Sequence, residues 1–435
     1  MIREFENVLL NWKNNGCSKP LMVVGARQIG KTFTILKFCQ ENFKQYIYIN
    51  LEKEEPIRQI FEDSLDPSYI LQQIEVILEK SISIDETVLF FDEVQVSERF
   101  ITSLKYFCES EHPYKVVCAG SLLGVKINRF SSSFPVGKID LEYMFPMNFK
   151  EFLNACGLDK LVLTIEEHFQ TMEAMPSFLH EKALTYYKYY LLVGGMPEAV
   201  KSFVENGSNI MSFDRSILSS ILQMYLNDMN KYTFNKAESV KVEKVYQSIP
   251  RQLGKENHKF QYKFVEVNGS RRKFESALDW LLSSSLIINC FNVAKIEIPL
   301  KAYQIDNDFK VYLNDVGLLC SMCELRVSDI INEEKFMFNG FIAENFVANE
   351  LHKNGYSLYY WRGATSEIDF LLTLDDGIIP VEVKSSLRTQ SKSLNVFLEK
   401  YRSPYGIRIS MKNFGYENSI KSIPLYATFC FKKND

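Results

Sequence analysis

Apolar and polar positions change period several times along the chain, and each change marks a different kind of element. Near the front, short apolar runs alternate with longer amphipathic ones. LMVV (21–24), QYIYINLE (45–52), TVLFFD (87–92), KVVCAGS (115–121) and KIDLEYM (138–144) are rich in β-branched and aromatic residues and predict strands. TFTILKFCQENF, PSYILQQIEVILEK and RFITSLKYFCES repeat apolar residues at helical intervals and predict helices between them. Such alternation predicts a parallel sheet covered by helices on both faces. From about 150 to 235 the period is helical and aromatic-rich, as in SFLHEKALTYYKYYLL and RSILSSILQMYLNDMNKY, a stripe that reads as core. Residues 238–300 predict two helices, a third in SRRKFESALDWLLSSSLI, and the strand NCFNVAKIE. Beyond 302, FNGFIAENFVANELHKNG predicts an amphipathic helix stopped by Gly355, and YSLYYWR, SEIDFLLTL and IIPVEVKSS predict strands.

At 435 residues the chain exceeds one ordinary core, and roughly two to four domains are expected. A net charge of −4 neither demands nor excludes nucleic acid, so any basic surface is local. Nine scattered cysteines suit a reducing compartment, and the CxxC pair Cys320 and Cys323 has no second pair to complete a zinc site. The N-terminal MIREFENVLLNWKNNG is charged, unlike a signal peptide, and no apolar run is long enough to span a bilayer; a cytoplasmic protein without a membrane partner is expected.

Candidate chemistry first appears in GARQIGKT (25–32), which fits G-x-x-x-x-G-K-[ST] between a predicted strand and helix. Gly25 and Gly30 permit a tight turn whose N–H groups point inward, with Ala26, Arg27, Gln28 and Ile29 completing the loop around phosphates. The following helix adds its positive end. Lys31 is placed for the β/γ-phosphates and Thr32 for magnesium. A chance glycine turn is the plain alternative. TVLFFDEVQ then ends an apolar strand in two acids, and burying carboxylates is costly unless they are paired or bind metal. Asp92 suits magnesium and Glu93 the attacking water; a strand end reaching solvent is the alternative. Together the motifs predict ATP and Mg2+ as cofactors.

With KVVCAGSLLG added, the chain resembles the AAA-type ATPases, and within them the bacterial and archaeal group with GARQ-[IV]-GKT, hhhhDE-hQ and AGS. The resemblance implies that Ser121 senses the γ-phosphate, where a serine simply ending a strand is the competing reading. EYMFPMNFKEFL (142–153) and YYLLVGGMPEAV (189–200) continue it. In related ATPases a G-x-P at this point lies in a helical lid and approaches nucleotide, which implies that role for Pro197; a plain turn remains open. One departure concerns the arginine finger. The family commonly has an arginine just before the strand read here as KIDLEYM, but this chain offers Lys138, with Arg129 further upstream, so the finger is unassigned.

The element order in 236–301 suits a winged helix, with Arg271, Arg272 and Lys273 either on DNA or on a solvated helix end. In the last third, strand alternation puts Glu382 and Lys384 on one face, and Asp369 falls on what reads as the adjacent strand. Two carboxylates can hold a hard cation while lysine orients water, a route to phosphodiester hydrolysis. A structural Lys–Asp pair across a hairpin is the alternative. G-x-x-x-E, I-D-F and V-E-V-K in order resemble the PD-(D/E)xK restriction-endonuclease fold, matching Gly340 and Glu344 to its helix motif, Asp369 to its metal-binding aspartate, and Glu382 and Lys384 to its E-x-K. FKVYLNDVGLL and SKSLNVFLEKY also look like the C-terminal domain joined to this ATPase group.

The expected fold is α/β: an AAA-type P-loop core over 1–145, a helical lid over 146–235, a winged-helix-like domain over 236–301 and a nuclease-like domain over 302–435. Three functions follow from it. One is an ATPase governing a metal-dependent nuclease on DNA, in defence or mobile-element biology. Another is a nucleotide switch whose C-terminal domain only binds nucleic acid or protein. The third is a self-associating, ring-forming remodeller.

Overall fold

The computed structural model describes residues 1–111, 114–121, 134–233, 235–255, 258–332, 340–364, 366–385 and 392–433. The chain divides into two compact units, Ile2–Phe145 with Ser283–Ser285, and Met1 with Pro146–Leu282 and Leu286–Asp435.

The first unit runs α1 (Phe5–Asn14), β1 (Leu21–Val24), α2 (Lys31–Asn42), β2 (Gln45–Asn50), α3 (Glu55–Asp63), α4 (Pro67–Leu78), β3 (Thr87–Asp92), α5 (Glu98–Glu109), β4 (Lys115–Gly120) and β5 (Asp140–Tyr143). All five strands are parallel, in the order β2–β3–β4–β1–β5. β1 and β3 are buried along their whole length, as strands covered on both faces must be. α4 and α5 begin where a side chain satisfies a free N–H group. Asp66 accepts from the Tyr69 amide ahead of Pro67, and Ser97 accepts from Phe100. The predicted strand at 138–144 is shortened by the turn that closes with Lys138 N–H donating to the Pro135 carbonyl.

This order fixes the relation of the motifs. β4 separates β1, which leads into the glycine loop, from β3, which ends in Asp92. Ser121, just past β4, therefore sits between the two.

The second unit continues with α6 (Phe149–Ala155), α7 (Asp159–Thr171), α8 (Ser177–Val193), α9 (Pro197–Glu205), α10 (Ser216–Tyr232), α11 (Lys236–Leu253), α12 (Arg271–Ser283), β6 (Ile287–Val293), β7 (Gln304–Leu313), α13 (Val316–Met322), α14 (Val327–Ile331) and α15 (Gly340–Lys353). It closes with β8 (Leu358–Arg362), β9 (Glu367–Ile368), β10 (Phe370–Leu374), β11 (Gly377–Val383), α16 (Lys392–Tyr401), β12 (Gly406–Ser410), β13 (Gly415–Glu417) and β14 (Ile420–Pro424). Two mixed sheets result, β7–β6–β8–β9 and β10–β11–β12–β14–β13. β6 pairs antiparallel with β7 and parallel with β8, so the strand after α12 shares a sheet with the last third of the chain.

α15 differs from the amphipathic helix expected of it. Every residue from Ile342 to Leu351 is buried, including Glu344, Asn345, Asn349 and Glu350. Each polar side chain has a buried partner. Asn345 accepts from the Leu313 N–H, both asparagines donate to the Leu313 carbonyl, and Glu350 accepts from Phe149 N–H. A polar face that looks solvated in sequence is here the seam to β7 and α6.

The GGMP turn before α9 is equally closed. Gly195 N–H donates to Asp315 Oδ2 at 2.6 Å, and its carbonyl accepts from Met147 N–H at 2.7 Å. A Cβ on Gly195 would lie 2.0 Å from the Met147 carbonyl oxygen. Gly195→Ala should therefore destabilise the second unit by about 1–3 kcal/mol in chemical denaturation. Gly340→Ala, where an added Cβ meets nothing within 4 Å, should stay within about 0.5 kcal/mol of wild type.

Candidate functional site

The glycine loop leaves β1 with its conformation set by close packing. A Cβ on Gly25 would lie 2.2 Å from the Met144 carbonyl oxygen, and Gln28 and Gly30 adopt left-handed φ of 65° and 88°. Arg3 braces the loop from behind, donating to the carbonyls of Ile29 at 2.8 Å and Phe145 at 2.7 Å. Lys31 opens α2 and folds back over the loop, its Nζ donating to the carbonyls of Gly25 at 2.8 Å and Ala26 at 2.7 Å. Burial lowers its pKa to about 8, against a partial upward pull from Glu93 and Asp92.

The neighbouring Thr32 hydroxyl donates to Asp92 Oδ2 at 2.7 Å. Tyr48 OH reaches the same oxygen at 3.3 Å, and Glu93 N–H donates to the other at 2.9 Å. Burial raises the Asp92 pKa, and the Thr32 hydrogen bond opposes the shift. Glu93 stands in a left-handed conformation with φ 53°. Its Oε2 accepts from Gln95 at 2.5 Å and from Ser121 Oγ at 3.1 Å, while Arg27 Nε donates to that Ser121 oxygen at 3.1 Å. Arg27, Ser121, Glu93, Asp92 and Thr32 thus form one hydrogen-bonded set, and Lys31 lies beside it on the loop carbonyls. The chemistry of this set fits a hydrated magnesium nucleotide: a hydroxyl beside a carboxylate for the cation, a buried ammonium for phosphates, and a second acid beside them.

Other positions fall elsewhere. Pro197 begins α9 in the second unit. Lys138 pairs with Glu109 at 2.9 Å, and Arg129 lies outside the described residues. Arg271 pairs with Glu275 at 2.6 Å and Lys273 with Glu266, so two of the three basic residues at the α12 start are matched by acids. Burial raises the thiols of Cys320 and Cys323, the latter to about 11, consistent with a structural pair. Among the described residues, no helix is long and apolar enough to cross a membrane.

The second unit gathers Asp369, Glu382 and Lys384 in a cleft of about 630 Å³ with His258, Arg362 and Glu367. Asp369 sits between β9 and β10, and its Oδ2 accepts from Val383 N–H on β11 at 2.8 Å. Lys384 Nζ lies 3.0 Å from Glu382 Oε1, so the predicted shared face holds, with the ion pair inside the strand end rather than across the hairpin. Glu382 Oε2 is buried and accepts no hydrogen bond. Burial and the nearby Glu344 carboxylate raise the Asp369 pKa.

Glu344 is enclosed. Its Oε1 accepts from Lys310 at 2.8 Å and Tyr312 at 2.5 Å, and its Oε2 pairs with His258 Nδ1 at 2.6 Å. Burial pushes its pKa up, but Lys310 and His258 outweigh that and hold it ionised. Lys310 also lies 2.7 Å from Glu367. Lys310, His258 and Glu367 were not singled out by sequence. In FKVYLND, alternation assigns Lys310 to a solvent face, and only α15 covering that face reveals otherwise. Among the described residues, no group of three or more His, Cys, Asp or Glu side chains is disposed to hold a metal ion. The unpartnered Glu382 oxygen beside Asp369 fits one divalent cation whose remaining ligands come from water or substrate.

Comparisons with known proteins agree with this geometry at the front and leave the rest open. Residues 18–153 match the AAA domain family, residues 184–329 a domain of unknown function (DUF8612), and residues 339–428 another (DUF4143). Among solved structures, a Walker-type ATPase of Pyrococcus abyssi aligns at 15% identity over 74% of this chain and 95% of its own, with a TM-score of 0.45. The ORC2 protein of Aeropyrum pernix, in ADPNP–ADP complexes, aligns at 14% identity over 76% of this chain and 92% of its own, with a TM-score of 0.34. No curated protein matches the chain.

The lowered Lys31 pKa gives binding a pH signature. Below about pH 8 the free site already carries the ammonium; above it, a triphosphate must draw in a proton to restore the charge. The Kd for a fluorescent ATP analogue should therefore rise above about pH 8, approaching tenfold per unit. A Kd that stays flat from about pH 7 to 9.5 would contradict the assigned role of Lys31.

Proposed function

We propose that this chain, whose residues 18–153 form an AAA-type P-loop ATPase domain, binds ATP with magnesium, hydrolyses it, and uses the cycle to govern a nuclease-like C-terminal domain acting on DNA in the cytoplasm. The observation that carries the ATPase reading is the contact of the Thr32 hydroxyl with Asp92 at 2.7 Å, with Glu93 next in the chain and Lys31 folded over the loop. Thr32 and Asp92 are the residues that would hold magnesium, whose charge offsets that of the phosphates. Lys31 exchanges the Gly25 and Ala26 carbonyls for phosphate oxygens, and the loop amides of residues 25–30 surround the rest. Glu93 orients the attacking water, and Ser121 registers the terminal phosphate while bonded to Glu93. Pro197 is assigned to nucleotide through the likeness of its GGMP turn to lid turns of related ATPases.

In the cleft, Asp369 and Glu382 are the carboxylates that would hold a divalent cation, which supplies an acidified water for phosphodiester cleavage. Lys384 is placed by Glu382 to steady the developing charge. A second reading, in which this domain binds DNA or a protein without cutting, is favoured by one specific feature. Glu344 is fully committed to Lys310, Tyr312 and His258 and so is withdrawn from chemistry.

Lys31→Ala should abolish ATP binding with the circular dichroism spectrum unchanged; undiminished affinity would sink the loop assignment. Glu93→Gln should keep ATP affinity and slow hydrolysis by about 10²-fold or more, measured by phosphate release. Purified protein should nick single-stranded, duplex or branched DNA with magnesium or manganese, and Asp369→Ala should not. Cleavage surviving in Asp369→Ala would place the activity elsewhere, and a wild type that binds DNA intact would select the second reading.

A further inference from the structure

We propose that the ammonium of Lys310 is the resident cation of the acid cluster in the second unit, so that the chain's own charge, and no divalent metal, assembles that cluster. Lys310 is 0% exposed on β7. Its Nζ lies 2.8 Å from Glu344 Oε1 on α15, 2.7 Å from Glu367 Oε1 on β9, and 3.9 Å from Asp369 Oδ1. It also stands 4.9 Å from the centre of the Tyr360 ring on β8. α15, β8 and the stretch from Glu367 to Asp369 thus converge on one ammonium from β7, through charge-assisted bonds and a ring face.

The acids it gathers face one another in a space largely closed to water, where like charges cannot stand together unmatched. Removing the ammonium would leave Glu344, Glu367 and Asp369 facing a vacant centre. Among the described residues lining the cleft, the other cations are already engaged. Lys384 is turned to Glu382, Arg362 is bonded to Glu367 Oε2 at 2.8 Å, and His258 is bonded to the far oxygen of Glu344. Glu344 is accordingly an anchor for the ammonium and no ligand of a metal, and a divalent cation in this cleft is confined to Asp369 and Glu382.

The inference rests on reading the cleft as a nuclease-like acid cluster, yet it concerns what assembles the cluster and not whether DNA is cut. The test uses full-length, nucleotide-free protein and amide hydrogen exchange across α15. Wild type should be equally protected in EDTA and in millimolar Mn2+. Lys310→Met should lose protection in EDTA and regain it in Mn2+, which replaces the missing charge. EDTA-sensitive protection in wild type, or Lys310→Met as well protected in EDTA as wild type, would overturn the proposal. Should Lys310→Met fail to fold even with Mn2+, the Mn2+ bound by wild type and by Glu344→Gln decides the matter. Equal counts are expected, because Glu344 is no ligand, and a lower count in Glu344→Gln would overturn it. A wild type that neither nicks DNA nor binds Mn2+ would defeat the nuclease reading while leaving Lys310 as the resident cation.

Discussion

Charge buried away from water persists only where it is matched, and the second unit is organised by that constraint. α15 takes Glu344, Glu350 and Lys353 into the interior together. Glu344 is met by Lys310 from β7 and by His258 from the segment after α11, while Lys353 donates to the Met147 carbonyl at 3.0 Å. Breaking one partner of such a buried pair typically costs about 3–5 kcal/mol, because the other is left unmatched. The matched charges therefore act less as glue than as a specification. α15 has one position and one rotation at which all of its polar groups are satisfied.

The same helix joins regions that look unrelated in sequence. Asp315 caps α13 through the Leu318 N–H and receives the Gly195 N–H. Gly195 in turn is tied to Met147, and Met147 to Tyr190 and Lys353. A Cβ on Gly317 would lie 2.5 Å from the Gly194 nitrogen, so bare backbone is required on both sides of this junction. The motif wordings FPMNF, GGMP and NDVGL are thus parts of one contact. That is the physical reason the regions matched by two separate families of unknown function fold here as a single unit.

How much of this was legible in sequence follows from how far apart the partners lie. The glycine loop spans eight contiguous residues, and the acids at 92 and 93 end an unbroken apolar strand, so local pattern sufficed for both. Glu382 and Lys384 were placed on one face by strand periodicity alone, and the 3.0 Å pair agrees. Reasoning failed where a polar residue is satisfied from a distance. Asn345 and Asn349 meet Leu313, and Glu350 meets Phe149 about two hundred positions earlier, so α15 looked amphipathic when it is enclosed. Lys310 alternates with Phe309 and Val311 as a surface lysine would, and nothing in its own strand records the helix that covers it.

The nucleotide site shows the opposite use of charge, with groups held ready and not consumed. Lys31 rests on two carbonyls that a phosphate must outcompete, and charge-assisted bonds of this kind contribute about 1.5–3 kcal/mol each. For the proposed ATP complex, affinity would be the difference between the new bonds and those surrendered at Lys31. Glu93 is restrained from two sides, by Gln95 and by Ser121, and Ser121 is itself held by Arg27 from the glycine loop. A terminal phosphate that drew Arg27 or Ser121 to itself would remove one restraint on Glu93 in the same movement. The strand order makes this possible, since β4 lies between the loop strand and the acid strand and delivers Ser121 to both. Arg27, Ser121 and Glu93 are in this arrangement linked side chain to side chain, so a shift of one is felt by the next.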